Sequence, residues 1–144
     1  MSKTPVHTSL KDIELISIPV VHDRRGNLAF LEQDLPGFRF KRVYYLFDIP
    51  AGARRGGHAH KEQWEMLVAL SGSFDVILDD GKNRRTYRLN RPDRGLVIPP
   101  GIWRELENFS ANAICMVFNS ASFDEADYIR DFHQFGKFKR NKFV

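Results

Sequence analysis

Short runs of alternating apolar and polar residues dominate the chain, and this period of two predicts β-strands. Residues 39–47 are rich in β-branched and aromatic side chains, as half-buried strands are. In residues 73–78 the apolar side chains share one face, and the following Asp80-Gly81 predicts a hairpin turn, because Asp-Gly tolerates positive φ. Further strands are expected at residues 27–32, 65–70, 86–89, 95–98 and 113–119.

Turn signals separate these runs at intervals of about 8–12 residues, which is typical of an all-β sandwich or barrel. A helix is expected only at residues 124–135, with Ser122 or Asp124 as its cap. The basic tail at residues 137–144 is either frayed or docked on the barrel. Without linkers or repeats, residues 1–144 are expected to form one domain, with a barrel at about residues 12–122 and a C-terminal segment at residues 123–144.

Composition narrows the class of protein. With 144 residues, of which 42% are hydrophobic and 28% charged, the chain fits one soluble domain. The net charge is +4, but the arginines come in scattered pairs, which does not favour nucleic-acid binding and does suit phosphate groups. No run approaches the roughly 20 apolar residues that span a membrane. The lone Cys115 lies in an apolar run and is expected to be buried and inert, so a cytoplasmic location is favoured.

The most informative pattern surrounds two histidines. His58 and His60 are one residue apart on an expected strand, so both side chains point to one face, and Glu65 follows them. The spacing G-x5-H-x-H-x4-E-x6-G resembles the first cupin motif, and residues 99–108 resemble the second, P-x-G-x2-H-x3-N. Cupins are jelly rolls of two antiparallel sheets, so we expect an all-β cupin jelly-roll barrel with a short C-terminal helical segment.

Arg104 stands where metal-binding cupins carry their last histidine ligand. A guanidinium has no free acceptor and stays cationic, so it does not bind a metal ion. We therefore predict that Arg104 pairs with Glu65 and that the site holds no metal. Two alternatives stay open: His58, His60 and Glu65 as a three-ligand metal site, and the histidines as satisfied core residues.

More specific segments resemble the dTDP-4-keto-6-deoxy-glucose 3,4-ketoisomerases of the WxcM-like cupin group, over about residues 12–135. They are residues 23–26 (DRRG), 41–45 (KRVYY), 55–61 (RGGHAHK), 78–81 (LDDG), 95–99 (GLVIP), 103–105 (WRE) and 124–130 (DEADYIR). The resemblance implies a cytoplasmic enzyme of bacterial surface-glycan sugar synthesis with a dTDP-linked keto-sugar substrate and no cofactor. It also implies a homodimer in which an N-terminal strand, near residues 13–20, joins the partner's sheet. Members of the group often carry Gln where Glu65 stands, which is a departure close to the sugar.

Such an isomerase moves a carbonyl from C4 to C3 through an enediol, giving a dTDP-3-keto-6-deoxy-hexose. Groups that titrate near neutrality carry out the proton transfers, and histidine is suited to this. The developing negative charge on oxygen needs fixed hydrogen-bond donors. The expected catalytic residues are His58, His60, Tyr44 and Arg55, and the expected substrate-binding residues are Arg25, Arg42, Trp103, Arg104 and Glu65.

Some assignments rest on analogy with the group. Tyr44 is preferred to Tyr45 in this way, which places Arg42 on the same inward face. Trp103 either stacks on the base, walls the sugar pocket or packs in the core. Asp124, Asp127 and Arg130 are expected to hold the C-terminal segment in place.

Three rival functions remain. The first is a metal-dependent cupin enzyme, and the second is a non-catalytic cupin that binds a sugar nucleotide and tolerates loss of either histidine. The third is a 3,5-epimerase of related fold. That reaction needs a His–Asp arrangement, whereas in this sequence two histidines lie side by side.

Overall fold

Two five-stranded antiparallel sheets form the body of the protein. The computed structural model describes residues 3–32 and 37–141. With strands numbered in chain order, the first sheet has the order β1 (Glu14–Ser17), β9 (Arg94–Ile98), β6 (Glu65–Ser71), β11 (Ile114–Asn119), β4 (Arg42–Leu46). The second has the order β12 (Tyr128–Ile129), β5 (Arg55–His60), β10 (Trp103–Glu107), β7 (Phe74–Asp79), β8 (Arg84–Leu89). A short hairpin joins β2 (Val20–Val21) and β3 (Leu28–Ala29). The predicted cupin jelly roll is confirmed.

The main hydrophobic core lies between the two sheets. Leu67 and Val117 come from the first sheet, and Val76 and Leu106 come from the second. Cys115 belongs to this core, and burial raises the pKa of its thiol, so the prediction of a buried cysteine is confirmed. A smaller cluster on the outer face of the first sheet packs Met66 and Phe118 against the segment that precedes β4.

The C-terminal segment differs from the prediction of one helix at residues 124–135. Asp124 caps a 3₁₀ turn at Glu125–Asp127, β12 follows, and α1 (Phe132–Arg140) begins only after its cap Asp131. The prediction failed because Tyr128 and Ile129 pair with the edge of β5, a long-range contact that interrupts the helix. The tail is docked on the barrel, since Phe138 packs against the cluster of Ala59 and Trp103 and Lys139 Nζ donates to the Pro5 carbonyl. Residues 142–144 of the predicted tail lie outside the described residues.

Other elements deviate less. The strand expected at residues 27–32 is only the two-residue β3, and β10 was not expected from alternation. β1 pairs with β9 of its own chain, Glu14 opposite Val97, so the exchange with a partner stays a prediction. Within the described ranges no helix is long and apolar enough to cross a membrane.

Candidate active site

A cavity of about 850 Å³ lies between the two sheets at their open side. Its walls come from β4, β6 and β11 of the first sheet and from β5, β10 and β12 of the second. The two edges meet where Arg42 Nη2 donates a hydrogen bond to the Tyr128 hydroxyl at 3.3 Å. All the predicted catalytic residues except His60 line this cavity.

A bulge in β5 sets the direction of Arg55. Opposite β10, His58 pairs with Arg104 and Arg55 pairs with Leu106, so β5 carries one extra residue in this interval. In a regular strand, residues 55 and 58 would point to opposite faces. Gly56, with φ of +91°, adopts the left-handed conformation that the bulge needs, and Arg55 therefore faces the cavity together with His58.

His58 is the histidine that reaches the cavity. Its side chain is buried, and its Nε2 has no hydrogen-bond partner among the described residues. Burial, and then the nearby charge of Arg104, lower the pKa of His58 to about 3. The imidazole is therefore neutral at physiological pH, which is the form that accepts a proton. The expectation of a histidine that titrates near neutrality does not hold for His58, because its burial disfavours the imidazolium.

His60 lies behind His58, with the two ring centroids 4.9 Å apart in an edge-to-face arrangement. It is fully buried and is not among the described residues that line the cavity. Its Nδ1 lies 2.9 Å from Asp127 Oδ2. Its Nε2 lies 3.2 Å from Glu65 Oε2 but is not aligned for a hydrogen bond.

The predicted pair of Glu65 and Arg104 is confirmed, since Arg104 Nη1 donates to Glu65 Oε1 at 2.5 Å and both side chains are buried. Arg104 Nη2 donates to the Ile102 carbonyl at 2.9 Å, and Asn119 Nδ2 donates to Glu65 Oε2 at 2.7 Å. Burial alone would raise the pKa of Glu65, but Arg104 and His60 outweigh it and hold that pKa below its usual range. The pair is thus a charged, hydrogen-bonded wall of the cavity.

A metal site on these residues fits poorly. His58, His60 and Glu65 do place one potential ligand atom each within 4.8 Å of one another. However, Glu65 is already bound by Arg104, whose buried positive charge would repel a divalent cation at the same place. Two histidines and a glutamate are common metal ligands, but the positive charge of Arg104 beside them disfavours a cation.

Arginines surround the mouth of the cavity. Arg54 pairs with Glu105 and Glu107, and Arg130 pairs with Glu125. Arg42 and Arg55 make no ion pair within the described part of the chain. These two guanidiniums are therefore available for an anionic ligand.

Tyr44 and Arg42 share the inward face of β4, as expected. The guanidinium of Arg42 lies over the Tyr44 ring, 5.0 Å from its centroid. Burial, and then the Glu65 carboxylate, raise the pKa of Tyr44, so its hydroxyl stays protonated and can donate a hydrogen bond.

Two predicted substrate-binding residues lie outside the cavity. Trp103 precedes the inward-facing Arg104, so strand alternation turns it outward, where it packs under Phe132 and Phe135 of α1. Of the alternatives for Trp103, core packing agrees with this position. Arg25 is exposed in the turn between β2 and β3 and forms a bidentate pair with Asp23.

Sequence reasoning missed Tyr128 as a wall of the cavity and Asp127 as the partner of His60. It placed Arg130 in the C-terminal segment, whereas this residue also lines the cavity. The 124–130 string carried a signal, because it belongs to the resemblance to the ketoisomerase group. The fold does form a His–Asp pair, His60 with Asp127, so the side-by-side histidines in the sequence do not count against a 3,5-epimerase.

Known proteins match most of the chain. The family model "FdtA: WxcM-like, C-terminal" matches residues 11–140. The TDP-4-oxo-6-deoxy-alpha-D-glucose-3,4-oxoisomerase of Aneurinibacillus thermoaerophilus is 41% identical over 127 residues, 87% of this chain and 91% of that protein. The crystal structure of the TDP-quinovose 3,4-ketoisomerase WlaRB from Campylobacter jejuni is similar at a TM-score of 0.84 and 43% identity, covering 89% of this chain and 99% of that one. A mutant of the 3,4-ketoisomerase QdtA from Thermoanaerobacterium thermosaccharolyticum was crystallised in complex with TDP-4-keto-6-deoxyglucose. Its structure is similar at a TM-score of 0.89 and 31% identity, and the match covers 94% of this chain and 99% of that one.

Proposed function

The chain belongs to the FdtA family of WxcM-like proteins, and we propose that it is a sugar-nucleotide 3,4-ketoisomerase that converts dTDP-4-keto-6-deoxy-glucose to a dTDP-3-keto-6-deoxy-hexose. One observation carries the chemistry: a neutral histidine, His58, faces a cavity lined by arginines, and its Nε2 has no hydrogen-bond partner among the described residues. A related ketoisomerase binds TDP-4-keto-6-deoxyglucose in the same fold.

Arg42 and Arg55 bind the substrate through its diphosphate or through oxygens of the sugar. Both line the cavity without a carboxylate partner in the described ranges, so neither has to break an ion pair when an anion enters. Guanidiniums bind phosphate oxygens through paired hydrogen bonds, which fixes the orientation of the sugar as well as its position.

In the proposed mechanism, His58 removes the proton from C3, which the neighbouring C4 ketone has made acidic. The electron pair of the C3–H bond forms the C3=C4 double bond of an enediolate, with the charge on the C4 oxygen. Tyr44 and Arg55 donate hydrogen bonds to that oxygen. The protonated His58 then returns a proton to C4, the hydroxyl proton on O3 is transferred to the C4 oxygen, and the carbonyl stands at C3.

His60 is the second proton-carrying group of the proposal. It lies one ring away from His58 and is shielded from the cavity in the free protein. We assign to it the transfer of the hydroxyl proton between the two oxygens. Glu65 and Arg104 keep the wall beside both histidines charged and rigid, and the neutral form of His58 follows from burial and Arg104.

The assay is incubation with dTDP-4-keto-6-deoxyglucose and identification of the product by NMR. We expect the 3-keto product, and His58→Asn should lower kcat by about 10²–10⁴-fold, the usual contribution of a positioned acid or base. His133→Asn, which changes an exposed histidine on α1, is the matched control and should keep wild-type activity. Turnover of His58→Asn within threefold of wild type would contradict the assigned role, and no product from wild type would contradict the function.

The cluster of His58, His60 and Glu65 gives the metal-dependent rival its one supporting observation. We expect activity to persist after EDTA treatment, with no stoichiometric transition metal in the purified protein. Near one equivalent of iron, nickel or zinc, with activity lost on chelation, would favour the rival.

We also propose a homodimer that exchanges the N-terminal strand, in the cytoplasm, serving bacterial surface-glycan sugar synthesis as the family resemblance implies. β1 is an edge strand that pairs only with β9 in the described sheets, so a second copy is able to supply it in the same register. The outer face of β4 exposes Val43 and Tyr45, followed by Phe47, an apolar strip that a partner would cover. Cell fractionation checks the location.

A further inference from the structure

Asp127 is held in one position by the loop between β5 and β6. Its Oδ1 accepts a hydrogen bond from the Glu62 amide at 2.7 Å, and its Oδ2 accepts one from the Gln63 amide at 3.2 Å. The Lys61 amide donates to the Asp127 carbonyl at 2.9 Å, so the backbone is fixed as well. The side chain is 6% exposed, and neither oxygen is free to rotate towards water.

The charge of Asp127 follows from these contacts. Burial would raise its pKa, but the hydrogen bonds from His60 and from the two amides outweigh burial and keep that pKa below its usual value. An ionised carboxylate only accepts hydrogen bonds. Whatever faces Oδ2 must therefore donate a proton, and the atom that faces it at 2.9 Å is Nδ1 of His60.

Because Asp127 holds the proton on Nδ1 of His60, Nε2 is left as the ring atom that can accept or release a proton. With its proton held between Nδ1 and Asp127, His60 exchanges protons with the site only through Nε2, which points towards Glu65 and has no hydrogen-bond partner among the described residues. A ring flip would bring a carbon to Asp127 and leave a buried carboxylate without its donor, which is costly.

We propose that Asp127 is a positioning residue of the isomerase, which fixes the tautomer and ring orientation of His60 so that Nε2 is its proton-transferring atom. This rests on the proposed function for its kinetic consequence, but the tautomer itself does not depend on activity. Asp127 lies 67 residues from His60 in sequence, and the 3₁₀ turn at Glu125–Asp127 brings them together.

Asp127→Asn tests the proposal, because an amide nearly keeps the shape and changes the proton pattern. If the amide oxygen keeps the bond to the Glu62 amide, its NH₂ group faces Nδ1 of His60 and favours the proton on Nε2 instead. We expect kcat to fall by about 10²–10⁴-fold, the range of a misplaced acid–base group, while KM changes less than threefold. Asp124→Asn is the control, since it alters the other end of the same 3₁₀ turn without touching His60, and should keep wild-type kcat.

The second measurement is the ¹⁵N chemical shifts of the His60 ring, which are assigned by their loss in His60→Asn. If Asp127 only stabilised the fold, Asp127→Asn would leave these shifts unchanged. We expect a protonated Nδ1 in the wild type and in Asp124→Asn, and a protonated Nε2 with a bare Nδ1 in Asp127→Asn. A wild-type ring protonated on Nε2 alone would overturn the proposal.

A folded Asp127→Asn with wild-type kcat would overturn it too, as would a fall in kcat with unchanged ¹⁵N shifts of the His60 ring. If wild type itself fails to turn over the sugar nucleotide, the proposed function fails while the ring shifts still report on Asp127. If Asp127→Asn does not fold, the wild-type ring shifts alone decide.

Discussion

At the residue scale, the site places two buried ionisable side chains, Glu65 and His58, beside the same guanidinium. Glu65 remains charged because Arg104 and His60 outweigh its burial, whereas His58 is kept neutral by burial and by the same Arg104. One guanidinium thus stabilises a carboxylate and disfavours an imidazolium. This arrangement makes the stability of the fold depend on pH in a predictable direction.

The pKa of His58 lies at about 3 in the folded protein, against an ordinary value of 6.5 in the unfolded chain. Between these values the unfolded chain binds a proton that the folded protein rejects, so the free energy of unfolding falls as pH falls from about 6.5 to about 3. From pH 7 to pH 5, His58 alone should lower it by about 2 kcal/mol. Urea unfolding followed by circular dichroism at pH 7, 6 and 5 measures this.

His58→Asn is the matched variant for the pH experiment, because asparagine does not titrate and the other histidines are unchanged. It should lose about 2 kcal/mol less than wild type over the same interval. Glu65 does not interfere, since its lowered pKa costs stability only below about 4.5, its ordinary value. Equal pH dependence in the two proteins would show that His58 is not held neutral.

The sequence predicted part of this chemistry. The face shared by His58 and His60 follows from strand alternation, and the pairing of Glu65 with Arg104 follows from the need to balance a buried charge. Asp127 was assigned only to holding the C-terminal segment, because no local pattern connects residues that lie 67 positions apart. Arg55 was assigned to the cavity although regular alternation with His58 would turn it away, and the bulge at Gly56 explains why it faces inward.

At the element scale, α1 is anchored at both ends of its docked face. Phe135 is fully buried against Trp103, and one turn later Lys139 Nζ donates to the carbonyls of Pro5 at 2.8 Å and Gly101 at 2.9 Å. It also donates to the Thr8 carbonyl at 2.8 Å. Gly101 adopts a φ of +82°, and a Cβ at this position would collide with the Pro5 carbonyl. One ammonium therefore joins the N-terminal segment, the loop before β10 and the last helix.

Lys139→Met should remove this junction while keeping most of the aliphatic side chain. We expect a loss of about 1–3 kcal/mol in the free energy of unfolding, because the partly buried carbonyls lose a charged donor. Lys137→Met is the control, since Lys137 is exposed on the same helix, and it should stay within about 0.5 kcal/mol of wild type. Equal stability of the two variants, measured by urea unfolding, would contradict the role of Lys139.

The elements differ in how far the sequence alone predicted them. Strands with strict alternation and a local turn, such as β7 with its Asp80-Gly81 hairpin, were placed correctly because neighbouring residues determine them. The C-terminal helix was misplaced because residues 128 and 129 pair with β5, and pairing with a distant strand outweighs local helix propensity. α1 then begins at the later cap, Asp131.

At the scale of the whole molecule, the two edges of the first sheet have different neighbours. β4 meets β12 of the second sheet through the contact between Arg42 and Tyr128, and its outer face carries exposed apolar side chains. β1 forms the other edge and follows a short N-terminal segment, which docks through Thr8 on the Pro100 carbonyl. An exchanged dimer keeps every β1–β9 contact and changes only which copy supplies the strand, so it costs little in contacts.

Light scattering should give a particle of about twice the 16.7 kDa subunit mass at micromolar concentration. Cysteines at Ser17 and Arg94, which lie directly opposite in the β1–β9 register, test the exchange itself. Neighbouring antiparallel positions are close enough for a disulfide. In an exchanged dimer, oxidation links two chains, and a non-reducing gel shows a band at twice the subunit mass.

One control variant and two possible outcomes test the exchange of β1 between two copies. Ser17→Cys alone should give no linked band, because its opposite position keeps arginine and the native Cys115 is fully buried. A dimer in solution whose disulfide forms within each chain would agree with the predicted dimer and contradict the exchange of β1. A monomer with full activity would overturn both, since the cavity walls described for one chain would then be sufficient for catalysis. Because the disulfide is read on the denatured protein, the result does not depend on whether oxidation alters the activity.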